Sequence, residues 1–207
     1  MKSNKPYVIE IKKIKNNNNN LLLNNKNNLS DIKNEFSKLS GSELDYNPDV
    51  WNKNNNIRKS HNCYSYALGN IVKDLKSKAQ PGYASGYKYI NNDNFNCKSF
   101  RERLKKDSPS SYLEKFDKSC LPGFYKIFLA LDPGNDYHWW RQDSNHYWSH
   151  KPGESNVTNL DASEKLIKNP LLSDRKFKNR NYHEPCFFAC IYSDLTRSLN
   201  EIYKDKI

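Results

Sequence analysis

The stretch that decides the fold is FYKIFLALDPGNDYHWWRQDSNHYWSHK, residues 124–151 of a 207-residue chain. Its first part, FYKIFLALD, is rich in aromatic and branched side chains, a composition typical of buried strands. That run ends at Pro133 and Gly134, and DYHWWRQDS and HYWSHK follow, joined by the turn-like DSN. Strand-like runs separated by such short turns predict an antiparallel meander.

Further patterns lie between this meander and the C-terminus. CFFACIYS at 186–193 is a short apolar run that suits another buried strand, and NVTNLDASEKLI at 156–167 reads as a weak hairpin. The closing segment LTRSLNEIYKDKI, residues 195–207, has the pattern of a helix.

Helical patterns precede the meander. CYSYALGNIVKDLKSKA at 63–79 places apolar residues at helical spacing, with Asn62 as a favoured N-cap and Gly69 weakening the second half. CKSFRERLKKD at 97–107 and PSSYLEKFDKSC at 109–120 are two shorter amphipathic patterns, also predicted to be helical. Helices followed by an antiparallel meander predict an α+β domain.

The N-terminal part of the chain differs in composition. Residues 1–45 contain Asn-rich low-complexity sequence that cannot bury enough apolar surface to offset the entropy of ordering, so we expect a largely disordered tail. Within it, YVIEIKKIK at 7–15 could form one strand. Residues 46–207 are long enough for a single domain with a core.

The chain is basic, with 34 Lys and Arg against 23 Asp and Glu and a net charge of +11. The lysines are scattered and form no long run, and the patterns of RNA-binding sheets and paired zinc fingers are missing. Charge alone supports weak, non-specific binding to nucleic acid, and no specific nucleic-acid site is expected.

Five cysteines stand in the chain, at positions 63, 97, 120, 186 and 190. The number is odd, and no apolar segment of a secretory signal follows the first lysines. The longest aliphatic run near the start, LLL, is far too short to span a membrane. These features favour free thiols in an intracellular location, either a host cytoplasm or, if the protein is viral, a virion.

Cys63 is the candidate nucleophile. A thiol becomes reactive as the thiolate, and a helix N-terminus and a nearby imidazole both lower its pKa. Cys63 stands where a helix is predicted to begin, so the free amides of the first turn could stabilise both the thiolate and a negative oxygen of a reaction intermediate. The other interpretation is a small buried apolar residue, which free cysteine often is.

The candidate base comes from the meander. If the turn centres on Ser144, His138 on one arm faces His150 on the next, so that one imidazole could act as base and the other could orient it. The alternatives are a His138 that packs in the aromatic core beside WW and a His150 that is a polar hairpin-end residue.

No metal or cofactor site is predicted. Cys186 and Cys190 are four residues apart on a predicted strand, too far along it to share one zinc ion easily, and packing in the core is the better interpretation of both. The chain also has no Gly-rich loop that could hold a phosphate.

Four segments together resemble a group of uncharacterised proteins from bacteria and large DNA viruses, over about residues 60–193. They are HNCYSYALGN, QPGYASG, DYHWWRQDSNHYWSHKPGESNVTNLDASEKLIKNP and YHEPCFFACIY. WSHKPG in register behind HWWRQD is the most specific part. The chain departs from that group at His146 and Glu164, which stand at usual turn glycines, and at Asn169, which replaces an Asp before Pro170.

The order of a helical Cys, a strand His and a second His on the next strand is similar to that of papain-like thiol hydrolases of the NlpC/P60 type. This resemblance implies a papain-like fold that hydrolyses or transfers amide bonds of a peptide or protein substrate, without a cofactor. Cys63 would be the nucleophile, His138 the base and His150 the orienting residue. Gln80 and Arg141 are candidate substrate contacts, for which a structural role is the alternative. The rival function is a non-catalytic scaffold or binding protein, such as a virion or host-interaction component, on the same fold.

Overall fold

The computed structural model describes residues 36–72 and 78–193, all within one compact unit, Asn34–Ile207. The predicted strand at 7–15, most of the Asn-rich tail and the closing helix at 195–207 lie outside the described residues. Within the described part, no helix is both long enough and apolar enough to cross a lipid bilayer.

A five-stranded antiparallel sheet forms the centre of the domain, with strand order β1-β7-β2-β3-β4. Two short strands, β5 and β6, pair separately. The strands are β1 (Tyr112–Glu114), β2 (Phe124–Asp132), β3 (Asp136–Gln142), β4 (Trp148–His150), β5 (Lys176–Phe177), β6 (Arg180–Asn181) and β7 (Glu184–Tyr192). The predicted strands of the meander and the predicted buried strand near residue 190 are thereby confirmed.

Four α-helices accompany the sheet in the described ranges, so the domain is of the α+β class. They are α1 (Pro48–Asn52), α2 (Asn55–Ser60), α3 (Cys63–Ala67) and α4 (Cys97–Asp107). The prediction of α4 is confirmed, whereas the helix predicted from Cys63 is much shorter than expected. It ends at Ala67 because Gly69 adopts a φ of +65°, a left-handed conformation that terminates helices.

The helix predicted at 109–120 is wrong. Part of that segment, β1, pairs with β7, with Tyr112 opposite Cys190 and Glu114 opposite Phe188. A free strand edge offers a full set of hydrogen-bond partners, and this tertiary pairing outweighs a short amphipathic pattern.

The two faces of the sheet carry separate cores. On one face, Tyr137 and Trp139 of β3 pack with Cys63 of α3 and Phe100 of α4. On the other face, Trp140 packs with residues that include Phe128, Trp148, Tyr182 and Phe188. Because side chains alternate along a strand, neighbouring residues of β3 belong to different cores.

The folded domain begins earlier than the predicted boundary at residue 46. Ser37 is buried, its carbonyl oxygen accepts from Gln142 Nε2 at 2.8 Å, and its hydroxyl accepts from Lys126 Nζ at 2.8 Å. These bonds attach residues that precede α1 to the middle of the sheet.

Two disulfides correct the expectation of free thiols. Cys97 is bonded to Cys186, and Cys120 is bonded to Cys190. The pairing between β2 and β7 shifts register between Leu129 and Ala130, opposite Cys186. Because of this irregularity, the Cys186 side chain points into the core beneath α4, the same core that contains its neighbour Phe187. Simple packing of Cys186 and Cys190 is therefore the wrong interpretation.

Two of the three positions that depart from the resemblance group keep a glycine-like backbone. His146 and Glu164 have φ values of 72° and 61°, the left-handed region that glycine adopts without a steric penalty. Glu164 lies in a turn where the Asp161 amide donates to the Lys165 carbonyl at 2.8 Å, within the segment predicted as a weak hairpin.

Candidate functional site

Cys63 lies at the first position of α3, as the sequence predicts. The side-chain oxygen of Asn62 accepts from the Ser65 amide at 3.1 Å, while its Nδ2 donates to the carbonyl of Ala79 at 2.7 Å. The cap thus connects the start of α3 to the chain at residue 79. Cys63 is 6% exposed, and its Sγ approaches the Tyr137 carbonyl oxygen at 4.0 Å.

Burial decides the chemistry of the Cys63 thiol. Desolvation raises its pKa to about 12, and hydrogen bonding from the backbone of Trp139 opposes this only in part. The sequence-based expectation was the reverse, a pKa lowered by the helix start and an imidazole. In this structure the group is a neutral thiol at physiological pH.

The two predicted histidines meet, although not in the predicted register. Trp140, rather than His138, stands opposite His150, so the turn is centred on Asn145 instead of Ser144. His138 and His150 are diagonal neighbours on one face, and His138 Nε2 lies 2.8 Å from His150 Nδ1. His150 Nε2 lies 3.0 Å from the carbonyl oxygen of Leu160.

The Leu160 carbonyl fixes the proton positions in this pair. A carbonyl oxygen only accepts, so His150 carries its proton on Nε2 and donates it to Leu160. In the neutral pair, His150 Nδ1 is then the acceptor, and His138 Nε2 donates to it. The result is a directed chain from His138 through His150 to the backbone.

The side chains of this histidine pair pack in a different core from Cys63. The His138 ring packs on the rings of Trp140 and Tyr182, on the face of β3 opposite the core that contains Cys63. No hydrogen bond between described residues joins the thiol to either imidazole. The thiol contacts the edge of β3 beside Tyr137, whereas the side chain of residue 138 points to the face that carries Trp140, so the pairing of Cys63 with His138 stays a prediction.

Acid should destabilise the domain through these histidines. Burial lowers the pKa of His150 to about 4, and burial and then the neighbouring His150 lower the pKa of His138. A folded pKa below the unfolded value of 6.5 means that the unfolded chain takes up protons first, so stability present above pH 6.5 is lost as pH falls towards 4. At about 1.4 kcal/mol per pKa unit, His150 alone contributes a loss of about 3 kcal/mol.

Urea unfolding at pH 7.5, 5.5 and 4.5 measures this loss. We expect His150→Gln to flatten the dependence below pH 6.5, whereas His183→Gln, at an exposed position, should leave it unchanged. Equal slopes for the wild type and His150→Gln would assign the acid sensitivity to other groups.

The two predicted substrate contacts have different surroundings. Arg141 is buried and entirely engaged within the protein: its Nε donates to Asp143 Oδ1 at 2.8 Å and its Nη2 to Tyr66 Oη at 3.0 Å. It therefore has a structural role. Gln80 is half-buried, accepts from the Tyr137 hydroxyl at 2.9 Å and lines a surface cleft.

Comparison with known proteins gives one informative relative. No family model and no solved structure matches the chain. Insoluble matrix shell protein 1 of Ruditapes philippinarum is 35% identical over 130 residues, which are 63% of this chain and 80% of that protein. The chain belongs to the insoluble matrix shell protein 1 family. The relative's name describes an insoluble component of a shell matrix.

Two buried lysines of this chain were not predicted from the sequence. Lys151 donates to the carbonyls of Arg58 and Gly153 at 2.6 and 2.7 Å, and Lys126 donates to the carbonyls of Lys115 and Phe116, both at 3.0 Å. Each ammonium thus holds a loop on the domain. The signal for Lys126 was its position inside the apolar run FYKIFLALD, where a charge needs buried partners.

Within the part of the chain that the structure describes, one cluster has ligand atoms close enough together for a metal ion. Atoms of Cys97, Glu184 and Cys186 lie within 4.8 Å of one another. The two sulfurs are joined in a disulfide, so neither is available as a thiolate ligand.

Proposed function

We propose that this member of the insoluble matrix shell protein 1 family is a non-catalytic, disulfide-bonded structural and binding domain. The observation that carries the proposal is the placement of Cys63. Its sulfur is buried against the edge of β3, its pKa is raised to about 12, and no hydrogen bond between described residues joins it to the histidine pair. A thiol nucleophile needs the opposite conditions, which are access, a lowered pKa and a base within hydrogen-bond reach.

The disulfides support a role outside reducing compartments. Such bonds form and persist in oxidising environments, so we propose an extracellular or otherwise oxidising location in place of the intracellular one expected from the sequence. The relative's name adds the proposal that this chain, too, is a component of an insoluble protein matrix. Two cross-links and a buried polar network would suit a long-lived component of such a material.

A papain-like thiol hydrolase of the NlpC/P60 type is the second candidate. The hydrogen-bonded chain from His138 to His150 and Leu160 favours it, since a catalytic base held by an orienting group is the general arrangement in such enzymes. A helical cysteine packed on an antiparallel sheet also agrees with it. Catalysis on a peptide or protein substrate would require a hydrogen bond between Cys63 and His138, which the described residues do not show.

Iodoacetamide labelling between pH 5 and 9, without reductant, tests both candidates. We expect Cys63 to stay unlabelled in the folded protein and to be the one cysteine labelled after unfolding in urea, because the other four are in disulfides. His138→Ala should not change Cys63 labelling, apart from any effect on folding, which His183→Ala serves to control.

The opposite result would establish the hydrolase. Rapid labelling of Cys63 in the folded protein, with a thiolate pKa below that of a free thiol and a loss of reactivity in His138→Ala, cannot arise from a thiol buried beside β3. Labelling of more than one cysteine after unfolding would show that the disulfides do not form.

A further inference from the structure

A cleft of about 240 Å³ lies between residues 80–95 and the turn that joins β2 to β3. Neither histidine of the pair is among its lining residues. Its wall combines carboxamide side chains with two aromatic rings: the amides are Gln80, Asn91, Asn92 and Asn135, and the rings are Phe95 and Tyr137. Apart from Asp136, this wall is polar without being charged, although the chain has a net charge of +11.

The wall of the cleft carries one carboxylate, which is paired within the protein. Its carboxylate, Asp136, accepts from Arg180 Nε at 2.9 Å and from the Tyr182 hydroxyl at 3.0 Å through Oδ2, and from the Tyr137 amide at 2.8 Å through Oδ1. None of the described residues on the wall is a lysine or arginine. The wall therefore offers no lysine or arginine to an anionic ligand, and its carboxylate is already paired with Arg180.

The amides on the wall offer both donors and acceptors. The Tyr137 hydroxyl donates to Gln80 Oε1 at 2.9 Å, which leaves Gln80 Nε2 as a donor. Asn135 Nδ2 donates to Asp132 Oδ2 at 2.7 Å, which leaves Asn135 Oδ1 as an acceptor. Hydroxyl groups both donate and accept, so neighbouring hydroxyls of a sugar match such a wall.

Exposed aromatic surface lies on the same segment. Tyr83 and Tyr89 stack with their ring centroids 4.4 Å apart and are 37% and 51% exposed. Tyr89 directly precedes Ile90, which lines the cleft. A tyrosine presents an apolar ring with a polar tip, a combination that suits the C–H faces and hydroxyl edges of sugar rings in contact with water.

We infer that this cleft binds a neutral oligosaccharide. The cleft volume lies below the range of about 300–1,000 Å³ that drug-sized ligands occupy. It therefore accommodates only a short part of the oligosaccharide, and further sugar units would lie along Tyr83 and Tyr89. A peptide added as a strand is disfavoured because the Cys63 sulfur approaches the edge of β3 at the Tyr137 carbonyl. The inference deepens the binding role proposed above by naming the class of ligand.

Calorimetric titration of the full chain with three tetrasaccharides tests the inference. The probes are the β-1,4-linked tetramers of glucose and of N-acetylglucosamine and the α-1,4-linked tetramer of glucose, with tetraalanine as the peptide comparison. We expect at least one saccharide to bind, with little dependence on salt, and Asn92→Ala with Asn135→Ala to weaken it about tenfold or more. Both asparagines are exposed, so the fold should survive, and Asn56→Ala at an exposed site on α2 is the matched control.

Three outcomes would overturn the inference. They are no binding of any tetrasaccharide to the folded protein, equal binding by the wild type and the double variant, and binding of tetraalanine at the cleft in preference to the sugars. Each leaves the proposed non-catalytic function standing, because that function is decided by the labelling of Cys63. Rapid Cys63 labelling with normal saccharide binding would reject only the proposed function.

Discussion

Arg141→Met is expected to lower the free energy of unfolding by about 3–5 kcal/mol, because it leaves the buried Asp143 carboxylate without its cation. Asp143 is fully buried, and burial already raises its pKa although Arg141 opposes the shift. The substitution also removes a guanidinium that stacks 4.2 Å from the centre of the Tyr66 ring. Urea unfolding at pH 7.5 measures the loss.

The pH dependence of the stability loss tests whether the unpaired Asp143 carboxylate causes it. In Arg141→Met the folded pKa of Asp143 should rise further above its unfolded value, so stability relative to the wild type should be higher at low pH and fall as pH rises through that folded pKa. Asp143→Asn in the Arg141→Met background should recover part of the loss. Lys53→Ala breaks an exposed ion pair with Asp49 and should cost less than about 1 kcal/mol. A pH-independent loss would point to packing instead.

Cys120→Ala combined with Cys190→Ala is expected to cost about 4 kcal/mol. The bond closes a loop over a sequence separation of 70, and the entropy that a cross-link of this length removes from the unfolded chain corresponds to about 4 kcal/mol. Both residues are buried, so water cannot fill the space that the two sulfur atoms leave without entering the core. Urea unfolding without reductant, compared with the wild type, measures the effect.

Cys63→Ala is the matched control for the disulfide variant. It removes the same atoms from a buried cysteine that has no disulfide, so it reports the packing term alone, expected to be about 1 kcal/mol. If the double variant loses no more than twice the Cys63→Ala value, the cross-link contributes nothing beyond packing.

The strands of the meander could be predicted because their composition and turns are local properties. FYKIFLALD and DYHWWRQ are consecutive, and turn residues separate them, so pairing between neighbours is the simplest arrangement. The cap at Asn62 was predictable for the same reason. The centre of the second hairpin was missed by one residue, and its register therefore by two, because His146, rather than a glycine, takes the left-handed position in the turn.

The site could not be predicted to the same depth. Whether Cys63 faces His138 depends on how α3 meets β3, a tertiary contact that no local pattern encodes. The disulfides depend on contacts between residues that are 89 and 70 positions apart, and cysteine spacing does not determine pairing. The register shift between β2 and β7 also changes the core that the Cys186 sulfur enters. Prediction from the sequence assumes that side chains alternate strictly between the two faces of a strand, which does not hold at this irregularity.

The bond between Cys97 and Cys186 also changes how the chain would respond to mechanical tension. Strands β1 to β6 lie between these two cysteines, so a pull on the two ends passes from Cys97 through the disulfide to Cys186 and bypasses them. The sequence separation of 89 corresponds to roughly 300 Å of extended chain that cannot be drawn out while the bond is intact. Stretching the oxidised protein would therefore leave most of its sheet under no direct load, and reduction would release that length.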